Sequence, residues 1–424
     1  MIEVNKESNN TIFAQIAQMV NASQNSKAPI QKTVDRFTAW YLPIVLTATA
    51  IGYFFTHNIQ SAVSILLVAA PCALAIGTPT AVSAAMANMT KKGVFIKGGI
   101  YFEAAGKLDV LMLDKTGTLT TGTPTLCDAW TANGLQIDEV LYWAASAEQD
   151  SLHPFAKALK RAADKRKLTL TKASSFTSIT GMGVQAIIDG NVIDVGKPDY
   201  IKELHPLTTD MIDQISSYVQ NEQSLIAVAV NGQLYGTFLF EDQIRPNAKH
   251  AVNALTQIVG NDHVIILSGD RQKNAEAIGN KVGITQIFGD LMPGDKKQLI
   301  EQYQKQGMQV GMLGDGINNA PALAMAAVGI AMGRSGTEFA ADTADVVLMH
   351  EDINLVVEFI DLSKAVAKRI KLNILFSIIF NLTGIILGNM QLLTPVLAII
   401  LQETGTMAVL VSSSLLLKRK PQIL

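Results

Sequence analysis

Three aspartates of this chain each stand at the end of a short apolar run, beside small or cationic residues. Asp114 ends VLMLD and precedes KTGT, Asp270 lies in VIILSGD, and Asp315 lies in VGMLGDG. A fourth segment, LMPGDKK, supplies Lys296. Phosphoryl transfer through a covalent intermediate needs a nucleophilic carboxylate, a cation, small hydrogen-bond donors and usually Mg²⁺. The four segments together contain each of these groups.

The residue types suggest a role for each segment. Asp114 can be the nucleophile, Ser268 and Gly269 can donate to the phosphoryl group, Lys296 can neutralise its charge, and Asp315 can hold Mg²⁺. A loop of Gly and Asp is by itself a common turn. The order DKTGT, SGD, PGDK and GDGIN along one chain therefore carries the inference, rather than any single loop.

The segments that position these loops alternate between strand and helix patterns. Apolar strands are predicted at 110–114, 264–270 and 310–316, and a helical pattern follows at 273–282. Alternating strands and helices predict a parallel sheet with its ligand chemistry at the carboxyl ends of the strands. Each of the three aspartates lies at such an end.

Residues 125–243 have a different pattern. Alternating apolar residues are separated by DG and NG pairs, as in GVQAIIDGNVIDVG and SLIAVAVNGQLYGTFLF. Such pairs between alternating runs predict hairpins. We therefore expect an antiparallel sheet inserted into the first α/β domain.

The composition points to a membrane protein. Hydrophobic residues make up 49% of the 424 residues, and four stretches are long and apolar enough to span a bilayer. The net charge of −2, without long charged blocks, gives no sign of a nucleic-acid partner. Buried core helices are the alternative interpretation of the apolar stretches. The predicted spans are 37–55, 61–86, 374–390 and 392–417.

The flanking charges predict the orientation of these spans. The short links within each pair of spans carry no Lys or Arg, whereas the other ends carry several. By the positive-inside rule, those ends and the region 98–372 between the pairs are cytoplasmic. The two cysteines, Cys72 and Cys127, lie in different kinds of segment, so a disulfide framework is not expected.

Several of these motifs resemble one protein family. DKTGTLT together with GDGINNAPAL is similar to the phosphorylation domain of P-type ATPases. APCALAIGTPTAV followed by KKGVFIKGG resembles the heavy-metal-transporting branch, and DSLHPFAKAL with GMGV resembles the nucleotide-binding domain of that branch. The resemblance implies a haloacid-dehalogenase-like phosphorylation domain with an inserted α+β nucleotide-binding domain. It also implies ATP-driven metal transport, with ATP and Mg²⁺, in a multi-pass cell-membrane protein.

The resemblance also implies residue roles. Asp114 becomes the aspartyl-phosphate, and Thr116 joins Asp114 and Asp315 around Mg²⁺. The other catalytic residues implied are Lys115, Ser268, Gly269, Asp270 and Lys296. Those implied to hold the adenine end of ATP are Glu148, His153, Gly181 and Gly183. Taken alone, His153 before Pro154 is also typical of a residue that begins a helix.

The second span carries a candidate site for the transported ion. Pro71 cannot donate a backbone hydrogen bond, so it kinks the helix and frees a carbonyl beside Cys72. A thiolate there is a plausible ligand, although a small apolar filler is the usual role of such a cysteine. Glu403 in the last span is costly in hydrocarbon and is therefore a functional candidate, with Thr406 nearby. One thiolate with one carboxylate suits a divalent ion such as Zn, Cd, Co or Fe.

The sequence departs from the family pattern in several places. The APC motif and QETGT are closest to a branch with SPC and HEGGT, so Gln402 stands in place of a histidine. Asn319 stands where the family usually has a second aspartate, which predicts weaker Mg²⁺ binding. Ser268 replaces a threonine and keeps the hydroxyl. The actuator loop TGE does not occur, which predicts a C-terminal portion of a pump, with a separate N-terminal half as a candidate partner and an incomplete catalytic cycle without it.

The resemblance predicts a domain order along the chain. It gives 1–33 as the end of the actuator domain, 34–97 as the first membrane pair, 98–124 and 244–352 as the phosphorylation domain, 125–243 as the nucleotide-binding domain, and 353–424 as a connecting helix with the last membrane pair. Two alternatives to a pump remain open from the sequence. They are a non-transporting phosphatase of the same fold and a decayed or regulatory remnant.

Overall fold

The computed structural model describes residues 29–132, 134–151, 153–179, 182–205, 224–315, 319–333 and 343–421. The chain forms two compact units. The smaller is Leu119–Arg245, and the larger combines the segments up to Thr118 and from Pro246 onward. The predicted actuator remnant lies almost wholly outside the described residues, and the predicted insertion 125–243 falls within the smaller unit.

Three helices begin the larger unit: α1 (Pro29–Thr56), α2 (Ile59–Val68) and α3 (Cys72–Lys91). The Asn58 side chain accepts a hydrogen bond from the Gln60 amide and so caps the start of α2. The predicted second span is divided between α2 and α3, with a break at residues 69–71. Because Pro71 lacks an amide proton, it cannot continue the helix from α2 and instead begins α3.

The chain then enters the first α/β layer through β1 (Val94–Ile96), α4 (Gly99–Ala105) and β2 (Val110–Asp114). All five residues of β2 are buried. A parallel strand covered on both faces needs a continuous apolar run, and VLML supplies it. An irregular helical turn at residues 115–119 leads out of the strand.

The smaller unit is a six-stranded antiparallel sheet with helices. It contains β3 (Thr120–Thr131), α5 (Ile137–Ala147), α6 (Pro154–Lys165), β4 (Ser175–Ile179), β5 (Gly183–Ile188), β6 (Asn191–Gly196), α7 (Pro198–Leu204), β7 (Ser224–Val230) and β8 (Gln233–Ile244). The strand order is β3-β8-β7-β6-β5-β4. At the predicted DG and NG turns, both residues of each pair have positive φ, 52° and 80° at 189–190 and 49° and 80° at 231–232. These are the angles that tight hairpins require.

The larger unit resumes with further strands and helices. They are α8 (Ala248–Val259), β9 (Val264–Leu267), α9 (Gln272–Val282), β10 (Gln286–Phe288), α10 (Pro293–Lys305), β11 (Val310–Gly314), α11 (Ala320–Met325), β12 (Val328–Met332) and β13 (Val346–Leu348). The seven-stranded sheet has the order β1-β13-β12-β11-β2-β9-β10. It is parallel except for β1, which runs antiparallel to β13. The three predicted aspartate loops follow β2, β9 and β11, which are neighbours in the sheet.

Two long helices complete the chain: α12 (Asn354–Asn389) and α13 (Pro395–Ser414). The predicted connecting helix and third span form one continuous helix, α12. In the described part of the chain, four segments are long and apolar enough to cross a membrane: Ala39–Thr56, Ile59–Lys91, Asn354–Asn389 and Pro395–Lys418. They correspond to the four predicted spans.

Candidate phosphorylation and transport sites

Asp114 is the centre of the site at the carboxyl edge of the parallel sheet. As the last residue of β2, it is 5% exposed. The Lys296 ammonium, near the start of α10, donates to its Oδ1 at 2.5 Å. Lys296 is itself buried. Because water does not solvate either of these buried charges, each one stabilises the other, and removal of either partner is costly.

Asn319 connects this pair to the third aspartate. Its Oδ1 accepts from the Lys296 ammonium at 2.8 Å, and its Nδ2 donates to Asp315 Oδ1 at 2.9 Å. Asn319 is 1% exposed. From the sequence alone, Asn319 was notable only because it lacks the negative charge of the aspartate that the family usually has there. The structure shows that the amide can do what a carboxylate could not, because it accepts from the cation and donates to the carboxylate at once.

The second aspartate loop adds a further ion pair. Lys115 pairs with Asp270, and the Ser268 hydroxyl accepts from the Asp270 amide at 3.1 Å. Lys115 and Ser268 are buried, whereas Gly269 and Thr116 are exposed. The buried residues of this loop are therefore fixed by bonds, whereas Gly269 and Thr116 are open to solvent.

Gly117 allows the turn that follows Asp114. Its φ of +74° lies in the left-handed region, which side chains with a Cβ rarely adopt. A Cβ at this position would also lie 3.7 Å from the Cβ of Asp315. The turn thus brings the backbone after β2 against the loop after β11.

Opposing effects act on the ionisation of Asp114. Burial raises the pKa of this carboxyl above its ordinary value, and the nearby Asp315 charge raises it further. The Lys296 ammonium and the Asn319 side chain lower the pKa of Asp114 and so favour the carboxylate. Without Lys296, a carboxyl this deeply buried would hold its proton over a wider range of pH.

Among the predicted nucleotide contacts of the smaller unit, Glu148 is a buried acid. It follows α5 and is 5% exposed, and its Oε2 has no hydrogen-bond partner among the described residues. Burial raises the pKa of Glu148, while a hydrogen bond with Ser151 and the charges of His153 and Lys160 oppose that rise. The Lys160 ammonium also fixes the loop by donating to the carbonyls of Gln149 and Ser151 at 3.0 and 3.2 Å.

The other predicted nucleotide contacts have local roles. His153 is exposed and precedes α6, and its Nδ1 accepts from the Phe155 amide at 3.4 Å, as expected of a residue that begins a helix. Gly183 begins β5, where a Cβ would lie 2.3 Å from the carbonyl oxygen of Val195. Only glycine permits this approach of β5 and β6. Gly181 lies outside the described residues.

The residues predicted to bind the transported ion have different surroundings. Cys72 and Glu403 are both exposed, and no hydrogen bond or ion pair joins them among the described residues. Thr406 is buried and donates to the Gln402 carbonyl within its own helix at 3.1 Å. The described residues contain no group of three or more His, Cys, Asp and Glu side chains placed to hold a metal ion. Instead, the buried Gln402 donates through Nε2 to the Ala70 carbonyl in the break, at 2.6 Å.

The parallel sheet thus carries an aspartate, a lysine and a second acid at its carboxyl edge. The sequence profile of haloacid dehalogenase-like hydrolases matches residues 108–327. Among solved structures, a crystal structure of a zinc-transporting PIB-type ATPase is similar with a TM-score of 0.80 and 29% identity, over 98% of this chain and 69% of that one. A second crystal structure of a zinc-transporting PIB-type ATPase, in a different state, gives a TM-score of 0.77 and 30% identity, over 98% and 68%.

Curated relatives cover nearly the whole chain. A zinc-exporting P-type ATPase of Mycobacterium marinum is 34% identical over 97% of this chain and 56% of its own length. A manganese-exporting P-type ATPase of Mycobacterium bovis is 34% identical over 97% and 57%, and a probable cadmium-transporting ATPase of Listeria monocytogenes is 36% identical over 99% and 61%. The chain thus spans somewhat over half the length of these relatives. The comparisons give no support to a separate N-terminal half as a partner.

The chain belongs to the heavy-metal-transporting P-type ATPases. The expected fold class is confirmed: a haloacid-dehalogenase-like domain with an inserted α+β unit and membrane helices. Membership of this family also confirms a multi-pass membrane protein with cytoplasmic catalytic domains. The predicted domain boundaries and site residues stay predictions.

Proposed function

We propose that this chain carries the phosphorylation and transport machinery of a pump that moves a divalent transition-metal ion across a membrane at the expense of ATP. The observation that carries the proposal is the bonded series Asp114, Lys296, Asn319 and Asp315 at the carboxyl edge of the parallel sheet. It supplies a nucleophile, a cation and a second acid within one hydrogen-bonded group. The relatives of the chain include exporters named for zinc and manganese and a probable cadmium transporter. These names support metal transport as the function.

The proposed covalent step takes place at Asp114. A carboxylate oxygen of Asp114 attacks the γ-phosphorus of ATP, the bond from that phosphorus to the β-phosphate bridging oxygen breaks, and ADP leaves with the electron pair. Asp114 then carries an acyl phosphate. Lys296 holds Asp114 ionised before the attack and neutralises phosphoryl charge as it develops.

The acids of this centre fit the Mg²⁺ that the family implies. Asp114 and Asp315 lie close enough for the Asp315 charge to raise the pKa of Asp114, and oxygen donors of this kind are the ligands that Mg²⁺ prefers. We therefore assign Asp114, Asp315 and Thr116 to hold it. When bound, Mg²⁺ neutralises charge on the transferred phosphoryl group. Asn319 contributes by fixing the orientation of the Asp315 carboxylate.

The smaller unit is proposed to bind the adenine end of ATP. The unpartnered Oε2 of buried Glu148 can accept a hydrogen bond from an amino group, and the raised pKa of Glu148 also allows a protonated carboxyl that donates to a ring nitrogen. His153, Gly181 and Gly183 are assigned to the same site.

The experiment that tests the proposed function is acid-quenched phosphorylation of the full chain in detergent with radiolabelled ATP. We expect a phosphoprotein that hydroxylamine cleaves, because acyl phosphates react with hydroxylamine and serine phosphates do not. The Asp114→Asn variant should carry no such label. Asp262→Asn changes an exposed acid of the same unit and should label like the wild type. Label that persists in Asp114→Asn, or wild-type protein that takes none, would refute the proposal.

A further inference from the structure

The break between α2 and α3 leaves a backbone carbonyl in need of a partner. The first backbone bond of α3 runs from the Ala75 amide to the Pro71 carbonyl at 3.1 Å, one residue beyond Ala70. The Ala70 carbonyl is met instead by Gln402 Nε2 from α13, at 2.6 Å. Gln402 is 5% exposed. Because hydrocarbon offers no hydrogen-bond partner, this contact satisfies a backbone group that a helix would otherwise satisfy.

Packing of α12 on α2 places another amide at the same depth. Gly388 packs against Ile65, and one turn earlier Gly384 packs against Val68, so the next turn of α12 lies beside the break. That turn contains Asn381, and its neighbour Phe380 packs against Gly405 of α13, within one turn of Gln402.

Asn381 is 2% exposed, and its side chain interacts with the Tyr41 hydroxyl from α1. A buried amide needs such a polar contact, or a bound ligand, to offset the cost of its burial. The break thus combines one backbone carbonyl that is held by the Gln402 side chain with a second buried side-chain amide at the same depth.

We propose that Gln402 is a latch on the cargo site. By donating to the Ala70 carbonyl, it occupies an oxygen that an entering cation would use as a ligand, and this hydrogen bond must break before the cation binds there. Gln402 is therefore a positioning residue, which acts through the Ala70 carbonyl. The inference rests on the proposed function, since it concerns the ion that the pump moves.

The chemistry of the break predicts which ions encounter the latch. Carbonyl and amide oxygens suit harder divalent ions such as Mn²⁺, whereas a thiolate suits softer ions such as Cd²⁺. The Ala70 backbone carbonyl and the Asn381 side-chain carbonyl would supply oxygen ligands, and Cys72, two residues after Ala70, is exposed. An ion that ligates the Ala70 carbonyl must displace Gln402, while one that depends mainly on the Cys72 sulfur need not. The latch therefore weakens Mn²⁺ binding more than Cd²⁺ binding.

The test measures equilibrium binding of Mn²⁺ and of Cd²⁺, each alone, to the full chain in detergent. Gln402→Met keeps the length of the side chain and removes the donor. We expect its half-saturating Mn²⁺ concentration to fall about threefold to tenfold, as for the loss of one neutral hydrogen bond, and that for Cd²⁺ to change by less than about twofold. Gln402→Asn, which is too short to reach Ala70, should shift Mn²⁺ binding in the same direction and is the second variant should Gln402→Met fail to fold.

Thr404→Val is the matched control, since Thr404 is exposed two residues along α13 and its hydroxyl donates to the Ile400 carbonyl of the same helix. It should leave both ions unaffected. If Gln402 had a purely structural role, its replacement would leave Mn²⁺ binding unchanged or weaken it. Unchanged or weakened Mn²⁺ binding in the Gln402 variants therefore overturns the latch alone. Wild-type protein that bound neither ion would overturn the proposed function, and the latch with it.

Discussion

The proposed phosphorylation centre and the break in the membrane helices both contain buried polar side chains, yet they are built from different groups. At the centre, charged side chains form ion pairs: Lys296 binds Asp114, and Lys115 pairs with Asp270. At the break, the neutral amide of Gln402 binds a neutral carbonyl, while Glu403 next to it is exposed. The chemistry proposed for the centre needs charge, whereas the break needs only a hydrogen-bond partner for the backbone that Pro71 has interrupted.

The comparison shows how each region limits the cost of burying polar groups. In the centre, the ammonium of Lys296 offsets the burial that would otherwise keep Asp114 protonated. In the membrane, an isolated charge would be far more costly than an amide, so the position that faces the break is neutral. The two regions should therefore respond differently when a charged or a neutral side chain is replaced.

The largest effect is expected from Lys296→Met. Loss of the ammonium should slow phosphoenzyme formation by about 10²-fold or more, because phosphoryl transfer depends on electrostatic stabilisation. Lys296 lowers the pKa of Asp114, so its loss should raise that pKa. The reactive carboxylate, present above the pKa and lost as pH falls through it, should then disappear at a higher pH than in the wild type. Phosphorylation rates measured from acidic to neutral pH would show this.

Lys297→Met is the matched control for that experiment. Lys297 follows directly on α10, is partly exposed, and among the described residues pairs with Glu301 of its own helix at 3.7 Å. Its loss should leave both the rate and the pH profile unchanged. If the two variants behaved alike, the net charge of the helix rather than the contact with Asp114 would control the reaction.

A smaller effect is expected from the two exposed membrane residues. Cys72→Ala and Glu403→Gln should each weaken binding of the transported divalent ion at least tenfold, since each removes a proposed metal ligand (about 1.4 kcal/mol per tenfold). Cys127→Ala removes the other free cysteine, in the smaller unit, and should have no effect. Equilibrium metal binding in detergent measures all three. Tight Cu(I) binding that neither membrane variant disturbs would contradict the assignment.

The smallest effect is expected from Asn319→Asp. A carboxylate in place of the amide adds negative charge beside Asp315, so the Mg²⁺ concentration for half-maximal phosphorylation should fall, by about threefold. The variant also loses the Nδ2 donor that orients Asp315, which limits the gain. Asn261→Asp adds the same charge at an exposed site and should change nothing. A higher Mg²⁺ requirement would show that orientation of Asp315 outweighs charge.

The sequence predicted that the three aspartate loops lie at one edge of the sheet, because the information for this is local. Asp114, Asp270 and Asp315 each follow an apolar strand, and parallel strands in one sheet bring such ends to the same edge. The hairpins of the smaller unit were predictable for a similar reason, since Asn and Gly adopt the positive φ that a tight turn requires. The bridging role of Asn319 could not be predicted in this way, because it depends on the position of Lys296 on a different element.

The membrane site was less predictable because burial depends on how a helix is rotated. Successive residues on a helix differ by about 100° in direction, so Gln402 and Glu403 cannot face the same neighbour. The sequence selected Glu403 for its charge, whereas packing against α2 and α3 turns Gln402 inward. The rotation of α13 is set by small residues such as Gly405 and by the contact of Val409 with Gly77, which no single motif reveals.

The continuity of α12 gives the molecule a mechanical property. Its 36 residues extend about 54 Å, and no Gly or Pro interrupts residues 354–383. At one end Phe359 packs on Phe102, and Lys364 donates to the Ile258 carbonyl at the end of α8; at the other end lie Asn381 and Gly384 beside the break. A helix without a hinge resists bending, so any tilt imposed on it at the catalytic domain becomes displacement at the depth where the cargo ion is proposed to bind.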